Sequence, residues 1–232
     1  MGLVINPRGT SGAGKTWLVR EVMRAYCHDG AKAVSLRRDG RSRPMGCQSF
    51  HPCGGRPLAI VGHYEATRGG TDTIPEADGG LGEALRLADA LAAGGNDVLL
   101  EGLQLSGDVE GTAALARAQR VRGSALHVLC LDVPLERCVR NVVARRRAGR
   151  TARIAIERTA RTGHAALTAA CEALRHTDAE VEWMSAPQAL NRTLALLGLD
   201  PARQDGSDGP RLDGFPHIAL ASPGPALTAG VA

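Results

Sequence analysis

A run of residues near the start of the chain has the composition and spacing to hold phosphate. Gly9-Thr10-Ser11-Gly12-Ala13-Gly14-Lys15-Thr16 fits the pattern G-x-x-x-x-G-K-[ST] in full. Such a loop turns backbone N–H groups inward around a β-phosphate, and the helix that follows adds partial positive charge at its N-terminus. The lysine reaches the β- and γ-phosphates, and the hydroxyl of Thr16 is placed to ligate Mg²⁺. A glycine-rich turn is the bland alternative in a chain with 29 glycines. However, an apolar strand before the loop and a helix opening near Thr16 supply the context the motif requires. The spacing therefore predicts ATP binding by Gly9, Thr10, Ser11, Gly12, Ala13, Gly14, Lys15 and Thr16.

Phosphate chemistry at such a loop also needs a carboxylate near the metal. Val98-Leu99-Leu100-Glu101-Gly102 reads as an apolar strand ending in one, which pairs Glu101 with Thr16 around Mg²⁺. Further along, Arg137, Arg140, Arg145, Arg146, Arg147, Arg150, Arg153, Arg158 and Arg161 fall within 25 residues, against the single acid Glu157. In a small kinase this stretch would form a lid, with Arg146 and its neighbours neutralising the transferring phosphate. It could equally contact a nucleic-acid backbone, or be a solvated basic face. The chain has no Asn-Lys-x-Asp element for reading guanine, and it is short for a motor ATPase.

The acceptor site is expected between the second and third apolar strands. Arg43 lies in Arg41-Ser42-Arg43-Pro44-Met45-Gly46, and His63, Tyr64 and Asp72 lie in the segment from Gly62 to Thr73. Asp72 could take or orient the proton of an acceptor hydroxyl, or simply cap a turn. Asp39 and Glu101 are rival bases. Tyr64 could stack on a base. Cys47, His51, Cys53 and His63 match no standard zinc spacing, and His127 reads as a core residue within an apolar strand.

The elements that must position these residues alternate. Strands are predicted at 3–5, 33–36, 58–61, 98–100, 126–131 and 181–184. Helices are predicted at 17–28, 81–93, 112–121, 135–148, 165–175 and 186–197. This order predicts an α/β fold of the P-loop NTPase, nucleotide-kinase-like kind, a mostly parallel sheet with helices on both faces. Residues 1–199 are expected to form the kinase domain, with 39–56 a hairpin or loop insertion and 137–161 the Arg-rich lid region. From Asp200 onward 10 of 33 residues are Gly or Pro and periodicity is lost, which predicts a disordered tail.

With 232 residues, 44% hydrophobic but only 3% aromatic, the core must be built from Ala, Val, Leu and Ile. The formal charge is +4, and all but two of the 28 basic residues are Arg; Lys15 and Lys32 are the lysines. The six cysteines are scattered with no C-x-x-C pair, which suits reduced thiols in a cytosolic chain. No apolar run approaches the length of a membrane span, and the N-terminus does not read as a signal peptide, so no membrane association and a cytoplasmic location are expected.

Taken together, these motifs resemble a family of bacteriophage P-loop kinases acting on 5-hydroxymethyluracil in DNA. The resemblance rests on Gly9–Thr16, on Arg43-Pro44-Met45-Gly46, and on Gly62-His63-Tyr64-Glu65 followed by Gly69-Gly70-Thr71-Asp72-Thr73-Ile74. Leu100-Glu101-Gly102-Leu103 and Pro134-Leu135-Glu136-Arg137-Cys138 extend it, so that it covers roughly residues 1–200. It implies transfer of the ATP γ-phosphate to the hydroxymethyl group of 5-hydroxymethyluracil in phage DNA, in the host cytoplasm. The product, 5-phosphomethyluracil, would be handed to downstream DNA-modifying enzymes, and the final hypermodified thymine would evade host restriction. A small-molecule kinase for nucleosides, nucleotides or adenylylsulfate, and a non-catalytic nucleotide-binding adaptor, are the alternative readings.

Overall fold

The sheet is organised around a strand that carries charge into the interior. In the computed structural model, which describes residues 1–27, 34–37, 44–65 and 69–199, β1 (Val4–Arg8) has the sequence Val-Ile-Asn-Pro-Arg and every residue is buried. Strand β1 pairs in parallel with β5 (Asp97–Leu100) on one side and β6 (Leu126–Leu131) on the other. Pairing with β5 covers only Val4 and Ile5, so the missing donor of Pro7 falls where that ladder has ended.

The seven strands run in the order β2-β3-β4-β5-β1-β6-β7, with β2 at Val34–Leu36, β3 at Gly46–Ser49, β4 at Leu58–Val61 and β7 at Glu180–Met184. All pairings from β4 to β7 are parallel, and β3 is antiparallel to both β2 and β4. Because the chain leaves β1 for one side of the sheet and returns to its other side, the carboxyl end of β1 is a topological switch point, where ligands bind in such sheets.

Side chains alternate across the sheet and build two apolar layers. Val4, Val98 and Val128 pack with Ala84, Ala88 and Ala92 of α2 (Gly80–Ala93), Leu115 of α4 (Glu110–Val121), and Leu167, Cys171 and Leu174 of α6 (Arg150–Leu174). Ile5, Leu99 and Leu129 pack on the other face with Leu18, Val19 and Val22 of α1 (Lys15–Ala25) and Ala189 just inside α7 (Ala186–Leu196). Helix α7 is opened by a capping box, Ser185 with Gln188. Between them, α5 (Leu135–Arg146) and the first half of α6 share a small cluster of their own: Val139, Val142, Ile156 and Ala160.

Three differences from the sequence reading have physical causes. Helix α6 starts at Arg150, not near Ala165, because its first half buries only Ile156 and Ala160 and shows no broad apolar stripe. The expected insertion at 39–56 contains β3, whose Gly-Cys-Gln-Ser sequence has little strand propensity and is held by pairing on both sides. A short helix, α3 (Leu103–Gly107), follows β5; its one turn buries Leu105 and Ser106, too little to leave a periodic signal. The described residues pack as one compact unit. The expected tail, 200–232, and Asp39, Arg43 and Lys32 lie outside the described residues. Among the described residues no helix is long and apolar enough to cross a membrane.

Two buried polar side chains on β1 tie these parts together. Asn6 Nδ2 donates to the Leu100 carbonyl at 3.0 Å, and Arg8 Nε donates to Asn6 Oδ1 at 2.8 Å. The guanidinium also donates to the Asp108 carbonyl at 2.7 Å and to Thr112 Oγ1 at 2.5 Å. Arg8 is fully buried, so removing it strands several desolvated acceptors at once. Arg8→Met is expected to lower folding stability by about 3 kcal/mol, read as a fall in the urea midpoint. An unchanged midpoint would show that the α3–α4 connection does not depend on this network.

Candidate active site

The loop leaving β1 reaches α1 through two glycines at positive φ, Gly12 at 90° and Gly14 at 104°. A Cβ at Gly12 would collide with the Cys138 carbonyl oxygen of α5, so the left-handed conformation and the close helix both require glycine. Two further contacts fix the loop: Asn141 Nδ2 donates to the Gly12 carbonyl at 2.8 Å, and Thr10 Oγ1 lies 3.3 Å from His164 Nδ1 of α6. Asn141, His164 and Arg8 went unnoticed in the sequence, since a lone polar residue within a helix or strand carries no spacing signal.

Lys15 opens α1 and is buried; its Nζ donates to the Gly9 carbonyl at 2.6 Å. Thr16 follows it, and its Oγ1 donates to Glu101 Oε1 at 3.0 Å. Glu101, at the end of β5, is 2% exposed. The structure thus brings together the lysine, hydroxyl and carboxylate that the sequence assigned to phosphate and metal. Burial pushes the Glu101 carboxyl above its ordinary value, opposed by Lys15 and by the Thr16 hydrogen bond. Burial likewise pulls the Lys15 ammonium down, opposed chiefly by Glu101. The Thr16 and Glu101 oxygens are hard ligands suited to a divalent cation such as Mg²⁺.

The segment after β4 closes over Glu101. Gly70 has φ 82°, and a Cβ there would collide with the Glu101 carbonyl oxygen, which accepts from Thr71 N at 2.7 Å. Asp72 then accepts from Leu103 N at 2.6 Å and Gln104 N at 3.2 Å. Each of its carboxylate oxygens thus meets a backbone N–H at the start of α3, the contact that the capping alternative expects. Tyr64, for which stacking on a base is expected, lies mostly inside the core. Its ring is 7% exposed within the α1 face of the core, and its hydroxyl has no hydrogen-bond partner among the described residues. His63 lines a small separate cavity of about 30 Å³ with Met45, Ile74 and Pro75. His51, weighed as a metal ligand, has both ring nitrogens engaged, by the Leu197 carbonyl at 2.8 Å and the Cys53 N–H at 3.1 Å.

The large cleft lies elsewhere. About 780 Å³ in volume, it runs from Gly9, Thr10 and Ser11 of the loop to α3, the end of α5 and the first half of α6. Arg146 and Arg158 are on its walls. All nine arginines of the 137–161 stretch are exposed, and among the described residues only Arg161 has an acidic partner, Glu157.

A phosphate loop at the switch point of a parallel sheet, with its lysine, hydroxyl and strand-end carboxylate in contact, defines a P-loop phosphotransferase, an ATP-dependent kinase. No family model matches the chain. It is 37% identical over 143 residues to a 5-hmdU DNA kinase of Pseudomonas phage PaMx11, an alignment spanning 62% of this chain and 69% of that protein. The chain belongs to the family of 5-hmdU DNA kinases. A gluconokinase from Sinorhizobium meliloti 1021 superposes with a TM-score of 0.42 at 12% identity, covering 85% of this chain and 91% of the other.

The raised Glu101 carboxyl gives a pH signature. Its charge is lost as pH falls through a value above the ordinary 4.5, so ATP turnover is expected to drop on the acid side before an ordinary carboxylate would protonate. Because the folded state holds that proton more tightly than the unfolded chain, stability from this group is present below the ordinary value and lost as pH rises through the folded one. Glu101→Gln is expected to cut turnover by roughly 10²-fold. Unchanged turnover in Glu101→Gln would exclude the carboxylate from the reaction.

Proposed function

We propose that this kinase transfers the γ-phosphate of ATP to the hydroxymethyl oxygen of 5-hydroxymethyluracil in DNA. The observation that carries the acceptor is the likeness to the phage PaMx11 protein, whose name specifies it. The unpaired arginines of α5 and α6 support a polyanionic partner, since neutralising backbone phosphates with releasable counterions is what such a surface does best.

In this reading Lys15 leaves the Gly9 carbonyl for the transferring phosphoryl group, and the loop amides hold the β-phosphate. Thr16 and Glu101 would hold Mg²⁺, which would supply charge neutralisation at the phosphates. Arg146 and its neighbours act as a lid, offsetting charge on the departing side. Asp72 acts through α3, fixing Leu103 beside Glu101. The acceptor oxygen forms its bond to the γ-phosphorus as the bond to the bridging oxygen breaks; ADP keeps that electron pair and the hydroxyl proton passes to solvent. The loose transition state asks for positioning more than for a strong base. The 5-phosphomethyluracil formed carries a leaving group, fit for later substitution in thymine hypermodification that protects a phage genome from host restriction. Such a pathway places the protein in the host cytoplasm and its product with downstream DNA-modifying enzymes.

The test offers γ-labelled ATP and Mg²⁺ with duplex DNA containing 5-hydroxymethyluracil, with thymine DNA and with free nucleosides. Label is expected on the modified DNA alone and to be absent with Lys15→Ala. The DNA KM is expected to rise roughly 10³-fold between about 50 and 200 mM salt if six or more arginines meet phosphates. Label on free nucleosides, with no salt dependence, would replace the reading with a small-molecule kinase.

A further inference from the structure

We propose that the acceptor nucleotide is extruded from the DNA stack and seated in the cleft between the phosphate loop, α3 and the α5–α6 hairpin. The inference rests on the DNA-kinase reading and adds where and in what state the acceptor base is bound.

Three observations carry it. First, the cleft begins at Gly9, Thr10 and Ser11, and Lys15 Nζ sits on the Gly9 carbonyl. One end of the cleft therefore lies against the phosphate loop, next to the carbonyl on which the lysine rests. Second, the cleft's about 780 Å³ is within the roughly 300–1,000 Å³ of sites that enclose one small ligand. Helix α3 packs against α6, so the walls meet, and a base pair still stacked between two backbones cannot follow them inward. Third, the walls are chemically those of a base pocket. Leu103, Val142, Ala155 and Ile156 offer apolar surface to a planar ring, while Ser106 and Thr159 supply a few hydroxyls. Arg158, which has no acidic partner among the described residues, stands ready for the nucleotide's own phosphates.

The alternative is reaction in the duplex, where the hydroxymethyl group projects into the major groove. That geometry would need the phosphate loop to lie on a convex or flat surface, whereas it forms one end of a walled cleft. Leu103 is 50% exposed on the rim beside Glu101. An exposed apolar residue there can fill the space an extruded base leaves, as wedge residues do between base steps. Extrusion costs unstacking and unpairing, and that cost falls when the base is poorly paired.

The proposal is tested by comparing transfer into 5-hydroxymethyluracil in three settings: a Watson–Crick duplex, the same duplex with an abasic site opposite the base, and a single strand. The kcat/KM is expected to rise about tenfold or more from the first to the second, because pairing no longer opposes extrusion. 2-Aminopurine beside the target should brighten on binding in the presence of a non-hydrolysable ATP analogue. Thr159→Trp, which fills the cleft from an exposed helix position, should raise the DNA KM roughly tenfold, since a base must displace the ring. Affinity for a fluorescent ATP analogue, measured on the same variant, separates this effect from misfolding. Equal rates in all three settings without a fluorescence rise, or an unmoved DNA KM in Thr159→Trp, would overturn extrusion and leave the DNA kinase standing. No transfer to any of the three DNAs would overturn the DNA-kinase reading itself.

Discussion

Opposite charges kept out of water at the carboxyl ends of neighbouring strands are the constraint on which this structure turns. Lys15 and Glu101 are each shifted toward neutrality by burial and each held charged mainly by the other. Neither would be tolerated alone in such surroundings. The arrangement leaves a lysine on a loop carbonyl and a carboxylate on a threonine hydroxyl, both engaged in contacts that a phosphate and a cation can replace with stronger ones. Polar groups are thus pre-positioned at a cost to stability, and the ligands that fit them restore it.

The sheet supports that arrangement through side chains as well as through its ladders. Strand β1 stops pairing with β5 two residues in, and beyond that point the Asn6 amide bonds the Leu100 carbonyl in place of the ladder. Arg8 extends the link to the Asp108 carbonyl and Thr112. The carboxyl ends of the two central strands are therefore held one residue from Glu101 and one residue from the start of the phosphate loop. The segment carrying Gly70 and Asp72 completes the frame from above, its backbone against Glu101 and its carboxylate on α3.

Much of this was legible in the residues, for reasons that differ by element. Leu58–Val61 and Leu126–Leu131 are continuous apolar runs because both faces of a parallel strand are buried, and the structure gives them the same bounds. The pairing of Thr16 with Glu101 could be read because a motif and a strand-end carboxylate each carry position information. Arg8 could not, because a charged residue reads as exposed until its partners, about a hundred positions away, are known. Asp72 is ambiguous for a local reason: a carboxylate after two glycines suits a cap and a base equally well, and its contacts with α3 come from 31 and 32 positions away. The burial of Tyr64 was not legible for a global one, as the core that takes in its ring is assembled from α1 and distant strands. The cleft was the least accessible of all, since its walls come from three helices separated in sequence and its lining is mostly small residues with no signature.

The division of the α5–α6 hairpin has a consequence for how such an enzyme changes over generations. Its apolar contacts, Val139 and Val142 with Ile156 and Ala160, are its own, whereas the second half of α6 belongs to the main core. The lysine, hydroxyl and carboxylate at the phosphate loop stand on α1 and at the end of β5, outside the hairpin. Drift along the hairpin can therefore resize the cleft or redistribute its arginines while the sheet and the phosphate loop stay under separate selection. Lineages could diverge in what they phosphorylate while sharing one way of phosphorylating it.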